Sequence, residues 1–194
     1  MQELAPGLWR WTSDHPDAEP DPKPGSPADW GPEVGSVAYA VDDTLVLIDP
    51  LVRGGRWEEL DELAADRRVV VLTTVGWHKR SRDAAVERYD ASTSRARKNL
   101  PSAVVPIAIR GAGETMVWLP EPGALVPGDR LLGDDRGGVR VCPDSWLGYL
   151  RGIDGAGLRV LLRPLLDLPV ELILVSHGEP VLGHGREALR RALA

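Results

Sequence analysis

Val69-Val70-Val71-Leu72-Thr73-Thr74-Val75-Gly76-Trp77-His78-Lys79 is the stretch from which the rest of the chain is read. A short, unbroken apolar run rich in β-branched residues marks a strand buried on both faces. Its glycine-containing continuation stops at a lone histidine. A second run of the same kind, Glu171-Leu172-Ile173-Leu174-Val175-Ser176-His177-Gly178, also ends in a histidine, and between the two Gly128-Asp129 follows another short apolar run. Layered α/β folds build their sites at strand ends, where loops are held by a rigid sheet. Two histidines and one aspartate at three strand ends have the chemistry of a metal site, if they converge on one point.

The composition bounds the alternatives. At 194 residues and 43% apolar, the chain is long enough for one domain with a real core, 1–194, carrying a Pro/Asp-rich surface loop at 13–33. The formal charge of −6 argues against binding a nucleic-acid backbone, which needs a basic face. Cys142 is the one cysteine, so an intrachain disulfide and a four-thiolate zinc site are both excluded. With no local base beside it, Cys142 reads as a buried, inert thiol. The N-terminus has neither a charged n-region nor an apolar h-region, and no run of about 18 apolar residues exists. A soluble, cytoplasmic protein is therefore expected, with no membrane partner.

Around the opening stretch, the alternation at 8–12 reads as a strand. The pair 34–41 and 44–49 reads as a hairpin turning at Asp42-Asp43. Helical spacing predicts helices over 57–66, 82–89, 146–153, 158–166 and 187–193, and strands are expected at 104–109, 115–119, 124–126, 137–142 and 172–175. The segment 91–99 is polar and carries no assignment. Phosphate-binding glycine patterns and a Gly-x-Ser-x-Gly elbow are absent. This order suggests two sheets with helices outside them, an α/β sandwich rather than a single doubly wound sheet.

The same residues resemble the metallo-β-lactamase-fold hydrolase superfamily over most of the chain. Leu45-Val46-Leu47-Ile48-Asp49 is similar to the family's early strand ending in aspartate. The stretch 73–79 sits where its Thr-His-x-His-x-Asp-His motif begins. Gly128-Asp129 matches the strand that delivers a bridging aspartate, and Ser176-His177-Gly178 matches the one that delivers the last histidine. The resemblance implies a four-layer αββα sandwich and hydrolysis of an ester, thioester, amide or phosphoester bond with metal-activated water. Within the motif, however, the first two histidines are replaced by Thr74 and Gly76, the aspartate by His78 and the last histidine by Lys79. No histidine lies between His78 and His177, and Arg110 stands near the place of the family's intervening one.

A two-zinc site needs several imidazoles and carboxylates, and Thr74, Gly76 and Lys79 supply none. The two-metal site is thus expected to be lost, leaving a degenerate motif. Two readings remain. In one, a single zinc ion is held by His78, Asp129 and His177. In the other, which the sequence favours, Lys79 has replaced the metal and pairs with Asp129. Catalysis without metal would draw on His78 as base, with Lys79 or Arg110 stabilising an oxyanion. The alternative to a hydrolase is a non-catalytic protein that binds a small anionic ligand in the old cleft, using Lys79 and Arg110, with the 13–33 loop as a cover. Asp49 reads as a structural carboxylate that accepts loop N–H groups. Trp77 suits either a pocket wall or the core, and His15 reads as a solvated loop residue.

Overall fold

The computed structural model describes residues 1–93 and 100–194. Two twisted sheets are stacked face to face. The first contains β1 (Gln2–Ala5), β2 (Leu8–Asp14), β3 (Glu33–Val41), β4 (Thr44–Ile48), β5 (Arg68–Leu72) and β6 (Ser92–Thr93), in that spatial order. β1 to β4 run antiparallel, whereas β4, β5 and β6 are parallel. Parallel neighbours require a crossover, and α1 (Arg56–Ala64) and α2 (Arg82–Tyr89) provide the two needed here. The second sheet is built from β7 (Val105–Ile109), β8 (Glu114–Leu119), β9 (Ala124–Val126), β12 (Leu172–Ile173) and β13 (Val181–Leu182), in the order β13-β12-β9-β8-β7. A hairpin of β10 (Leu131–Gly133) and β11 (Val139–Val141) and the helices α3 (Gly155–Leu162) and α4 (Gly185–Ala192) cover its outer face.

The period of two in a strand sorts the side chains into three apolar layers. Along β4, Leu45 and Leu47 face outward and pack with Leu60 of α1 and Ala85 of α2. Val46 and Ile48, one residue on, face inward and meet Val117, Leu119 and Val126 of the other sheet. Along β8, Met116 and Trp118 face the opposite way, toward Leu158 and Leu162 of α3 and Leu189 of α4. Each fully buried Leu or Val contributes about 1.5–3 kcal/mol relative to exposure. The result is helix, sheet, sheet, helix: the four-layer αββα sandwich.

Some local expectations change. The predicted helix over 146–153 is not formed; a single 3-10 turn, Asp144–Leu147, is followed by irregular turns. Gly148 and Gly152 explain this, since glycine weakens a helix interior and Gly152 takes the left-handed φ of +71°. The predicted helix over 158–166 divides at Pro164 into α3 and a 3-10 turn, Arg163–Asp167, because proline lacks the N–H that would continue the ladder. α3 starts where Asp154 accepts the N–H of Gly157 at 2.8 Å, a cap worth about 1 kcal/mol. The irregular loop is shorter than 13–33. Ser13 and Asp14 pair with Val34 and Glu33, so β2 and β3 extend into it, and the N–H of His15 closes its neck on the carbonyl of Pro32 at 2.7 Å. Residues 94–99 of the unassigned polar segment lie outside the described residues.

At one end of the sandwich the two sheets are tied together by backbone. The N–H of Gly35 donates to the carbonyl of Ser176 at 2.7 Å, and that of Thr115 to the carbonyl of Thr74 at 2.9 Å. These ties bring the ends of β3, β5, β8, β9 and β12 to one place.

Candidate metal centre

The three strand-end residues do converge. His78 Nε2 lies 3.0 Å from Asp129 Oδ1, and His177 Nε2 lies 3.3 Å from the same oxygen. All three side chains are buried, and one donor atom from each falls within 4.8 Å of the others. Although it is sealed from solvent and flanked by two imidazole nitrogens, Asp129 Oδ1 has no hydrogen bond of acceptable geometry among the described residues. The two imidazoles offset the charge of this buried oxygen, and a cation set between the three groups would offset it as well. Ligand atoms in a tetrahedral zinc site with bonds of about 2.0–2.1 Å stand about 3.3–3.4 Å apart, close to the two separations from Asp129 Oδ1. These residues therefore fit one divalent cation.

Asp49 sets the orientation of His78. Its Oδ2 is 2.9 Å from His78 Nδ1. An ionised carboxylate only accepts, so Nδ1 carries the hydrogen and Nε2 is turned to Asp129. The same Oδ2 receives the Thr74 hydroxyl, and Oδ1 receives the Thr74 N–H at 2.9 Å. Asp49 thus does accept a loop N–H, as expected, and holds His78 as well. It sits at φ +47°, a left-handed turn that ends β4 and aims the carboxylate across to the β5 end. Burial opposes charge on His78, yet Asp49 and Asp129 outweigh it and raise its pKa to about 9. Burial likewise opposes charge on Asp129, but the neighbouring histidines hold it well below the usual carboxylate range. Burial lowers the pKa of His177, whose Nδ1 has no partner among the described residues.

The expected Lys79–Asp129 ion pair is not formed. Lys79 is exposed, and the side-chain neighbours of Asp129 are His78, His177 and Trp77. The inward cation is the next residue, Arg80, whose Nη1 donates to the carbonyls of Gly35 (2.7 Å) and Asp49 (2.9 Å) and whose Nη2 donates to Ser176 Oγ (2.6 Å). Arg80 has φ +43°, and this reversal of the backbone turns Lys79 out and Arg80 in. Arg110 is exposed in the turn after β7 and does not line the cleft. The oxyanion role considered for Lys79 and Arg110 therefore has no geometric basis, nor does an anion clamp made from them.

Glu114, at the start of β8, is buried beneath the centre. It accepts the N–H groups of Gly128 (2.9 Å), Asp129 (2.7 Å) and Arg130 (3.0 Å), fixing the turn that presents Asp129. Burial, reinforced by the Asp129 charge, raises its pKa to about 7. Neither Glu114 nor Arg80 was found by sequence reasoning; the one hint for Glu114 is a carboxylate opening an apolar strand.

Above the centre lies a cleft of about 680 Å³. Its walls are aromatic. Trp30, from the loop between β2 and β3, and Trp146, from the 3-10 turn, approach His177 edgewise at 5.4 and 5.6 Å. Trp146 also donates its indole N–H to the carbonyl of Ser26 at 3.2 Å, pinning the loop to the rim. His15 is not a free solvated residue; it lines the cleft and packs edge-on against Trp30 at 5.1 Å. Opposite stand Trp77 and Tyr149, 5.2 Å apart. Arg130 lines the cleft too, but its donors serve the Ala112 carbonyl, Cys142 Sγ and Tyr149 Oη. Burial raises the pKa of Cys142, in keeping with an inert thiol.

No protein-family model and no curated protein matches the sequence. Solved structures do match in three dimensions. A metallo-β-lactamase from Erythrobacter litoralis, with β-mercaptoethanol in its active site, superimposes with a TM-score of 0.66 at 18% identity, covering 99% of this chain and 93% of that one. The metallo-β-lactamase FIM-1 from Pseudomonas aeruginosa, in a mono-zinc form, gives 0.65 at 15% identity, over 98% of this chain and 91% of that one. A metallo-β-lactamase family protein from Thermus thermophilus gives 0.57 at 18% identity, over 98% and 78%. The chain has the metallo-β-lactamase fold, an α/β sandwich, as the sequence resemblance implied. Among the described residues, no helix is long and apolar enough to cross a membrane.

Proposed function

We propose that this protein is a hydrolase with a single divalent metal, of the zinc class, held by His78, Asp129 and His177. The observation that carries this reading is the convergence of three buried residues: Asp129 Oδ1 lies between two imidazole nitrogens at 3.0 and 3.3 Å, and one ligand atom from each residue falls within 4.8 Å of the others. The second metal position of the fold is left without ligands: Thr74 is turned to Asp49, Gly76 has no side chain and Lys79 is exposed. Zinc in such a site supplies a water activated near neutral pH and a Lewis acid for a polarised oxygen. The chain's own residues do the rest. Asp49 keeps the Nδ1–H tautomer of His78, Glu114 fixes the backbone of Asp129, and Trp30 and Trp146 shield His177 from bulk water. Because the cations near the cleft are either turned away or hydrogen-bonded within the wall, an uncharged ester, thioester or amide with an apolar portion fits better than a phosphoester.

The deciding experiment is elemental analysis of protein equilibrated with zinc. We expect about one equivalent of metal in the parent chain and none in His177→Ala; absence of metal from the parent overturns the proposal. A second reading is supported by the position of His78 between two carboxylates, 2.9 Å from Asp49 and 3.0 Å from Asp129. In a metal-free binding protein, a protonated His78 would bridge them, and the aromatic cleft would take a ligand without turnover.

A further inference from the structure

The two carboxylate oxygens of Asp129 meet different surroundings. Oδ1 faces the two imidazoles, whereas Oδ2 accepts the indole N–H of Trp77 at 2.7 Å. Trp77 is 53% exposed, so burial of its ring is a poor reason for its position. Its ring stands edge-on to Tyr149, at 90° and 5.2 Å between centroids. Tyr149 is also half exposed, but its hydroxyl accepts from Arg130 Nη2, and the Arg130 guanidinium lies 5.5 Å over its ring. Arg130 is fully buried and is tied through Nε to the carbonyl of Ala112 at 3.0 Å. A fixed guanidinium thus braces a tyrosine, the tyrosine braces an indole, and the indole N–H ends on the outer oxygen of Asp129.

We propose that Trp77 is a positioning residue that caps Asp129 Oδ2 and confines Asp129 to one donor oxygen. A carboxylate with both oxygens free can chelate one cation or bridge two. An N–H donated to one oxygen takes one of its two lone pairs, draws charge from it and fixes the carboxylate plane, and so favours the other oxygen as the single ligand. On this inference, which rests on the mononuclear reading above, the Trp77 N–H is what directs Asp129 to meet the metal through Oδ1 alone.

The test is a cobalt(II) titration of the metal-free protein, followed by visible absorption, with a thermal melt to verify folding. Four-coordinate cobalt absorbs far more strongly than five- or six-coordinate cobalt. The parent is expected to take one equivalent with the intense four-coordinate band. In Trp77→Phe the ring against Tyr149 is kept and the N–H is lost. Asp129 then engages through both oxygens, and the band is expected to fall by about half or more. Trp57→Phe, on α1 against Tyr89 and away from the cleft, loses an indole N–H without touching the centre and should match the parent. Tyr149→Leu releases the brace and should shift the spectrum in the same direction as Trp77→Phe, so the inference stays testable if the latter fails to fold. A folded Trp77→Phe with the parent's spectrum overturns the role of Trp77 and leaves the mononuclear reading standing. A parent that takes no cobalt overturns both.

Discussion

At the scale of single residues, the centre depends on side chains that orient other side chains. Asp49 touches neither of the cleft's imidazole Nε2 atoms, yet it decides which nitrogen of His78 is turned to Asp129. Replacing Asp49 with Asn keeps the shape but allows the amide to present N–H instead of an acceptor, so the tautomer is no longer imposed. Losses of such partners cost about 10–100-fold in metal affinity. Zinc affinity of Asp49→Asn, measured by competition with a chelator, is expected to fall within that range, and an unchanged affinity would remove Asp49 from the centre. His78, Asp129 and His177 were legible in the sequence because each closes an apolar run. Lys79 was expected to be the inward cation and Arg80 was missed, since residue type does not say which cation of one turn faces the site. The choice between them was made by the backbone at Arg80, whose left-handed φ leaves no signature in a non-glycine residue.

At the scale of elements, the site depends on how closely the sheets approach at one end. Gly35 of β3 is extended there, and a Cβ added to it would sit 2.6 Å from the carbonyl oxygen of Val175 and 2.9 Å from Arg10 Nη2. The first of these is backbone and cannot swing aside. Gly35→Ala is therefore expected to push β3 away from the β12 end and destabilise the fold by about 1–3 kcal/mol, read as a lower midpoint in urea unfolding. A midpoint equal to the parent's would mean the sheets separate there without cost. The strands were legible because alternation and β-branched runs report directly on a pleated, buried surface. The predicted helix over 146–153 was not, because an apolar spacing of three and four also describes residues that turn irregularly over a core. There Leu147 is buried while Tyr149 is half exposed, and that irregular turn carries two of the cleft's aromatic rings.

At the scale of the whole molecule, the buried charges make stability sensitive to pH when metal is withheld. Folding raises the pKa of His78 from its ordinary 6.5 to about 9. The folded state thus keeps a proton that the unfolded chain releases. This contribution is complete below pH 6.5 and is lost as the pH rises through 9. The lowered pKa of His177 acts in the other direction only below 6.5. With chelator present, the melting temperature is expected to fall steadily between pH 6.5 and 9; a constant value over that range would show that His78 is not held between Asp49 and Asp129. Sequence alone placed the buried strands, because unbroken β-branched runs mark strands covered on both faces, and the order of elements suggested two sheets with helices outside them; the four layers were what the family resemblance implied. Sequence also determined the three strand-end residues and which positions of the motif offer no ligand, since residue type by itself decides what can donate a lone pair. Only the tertiary structure decided which cation turns inward, that Glu114 underpins the Asp129 turn, and that Trp30, Trp77, Trp146 and Tyr149 wall one cleft. Those relations join residues far apart in the chain through backbone reversals and sheet contacts, and no local pattern encodes them.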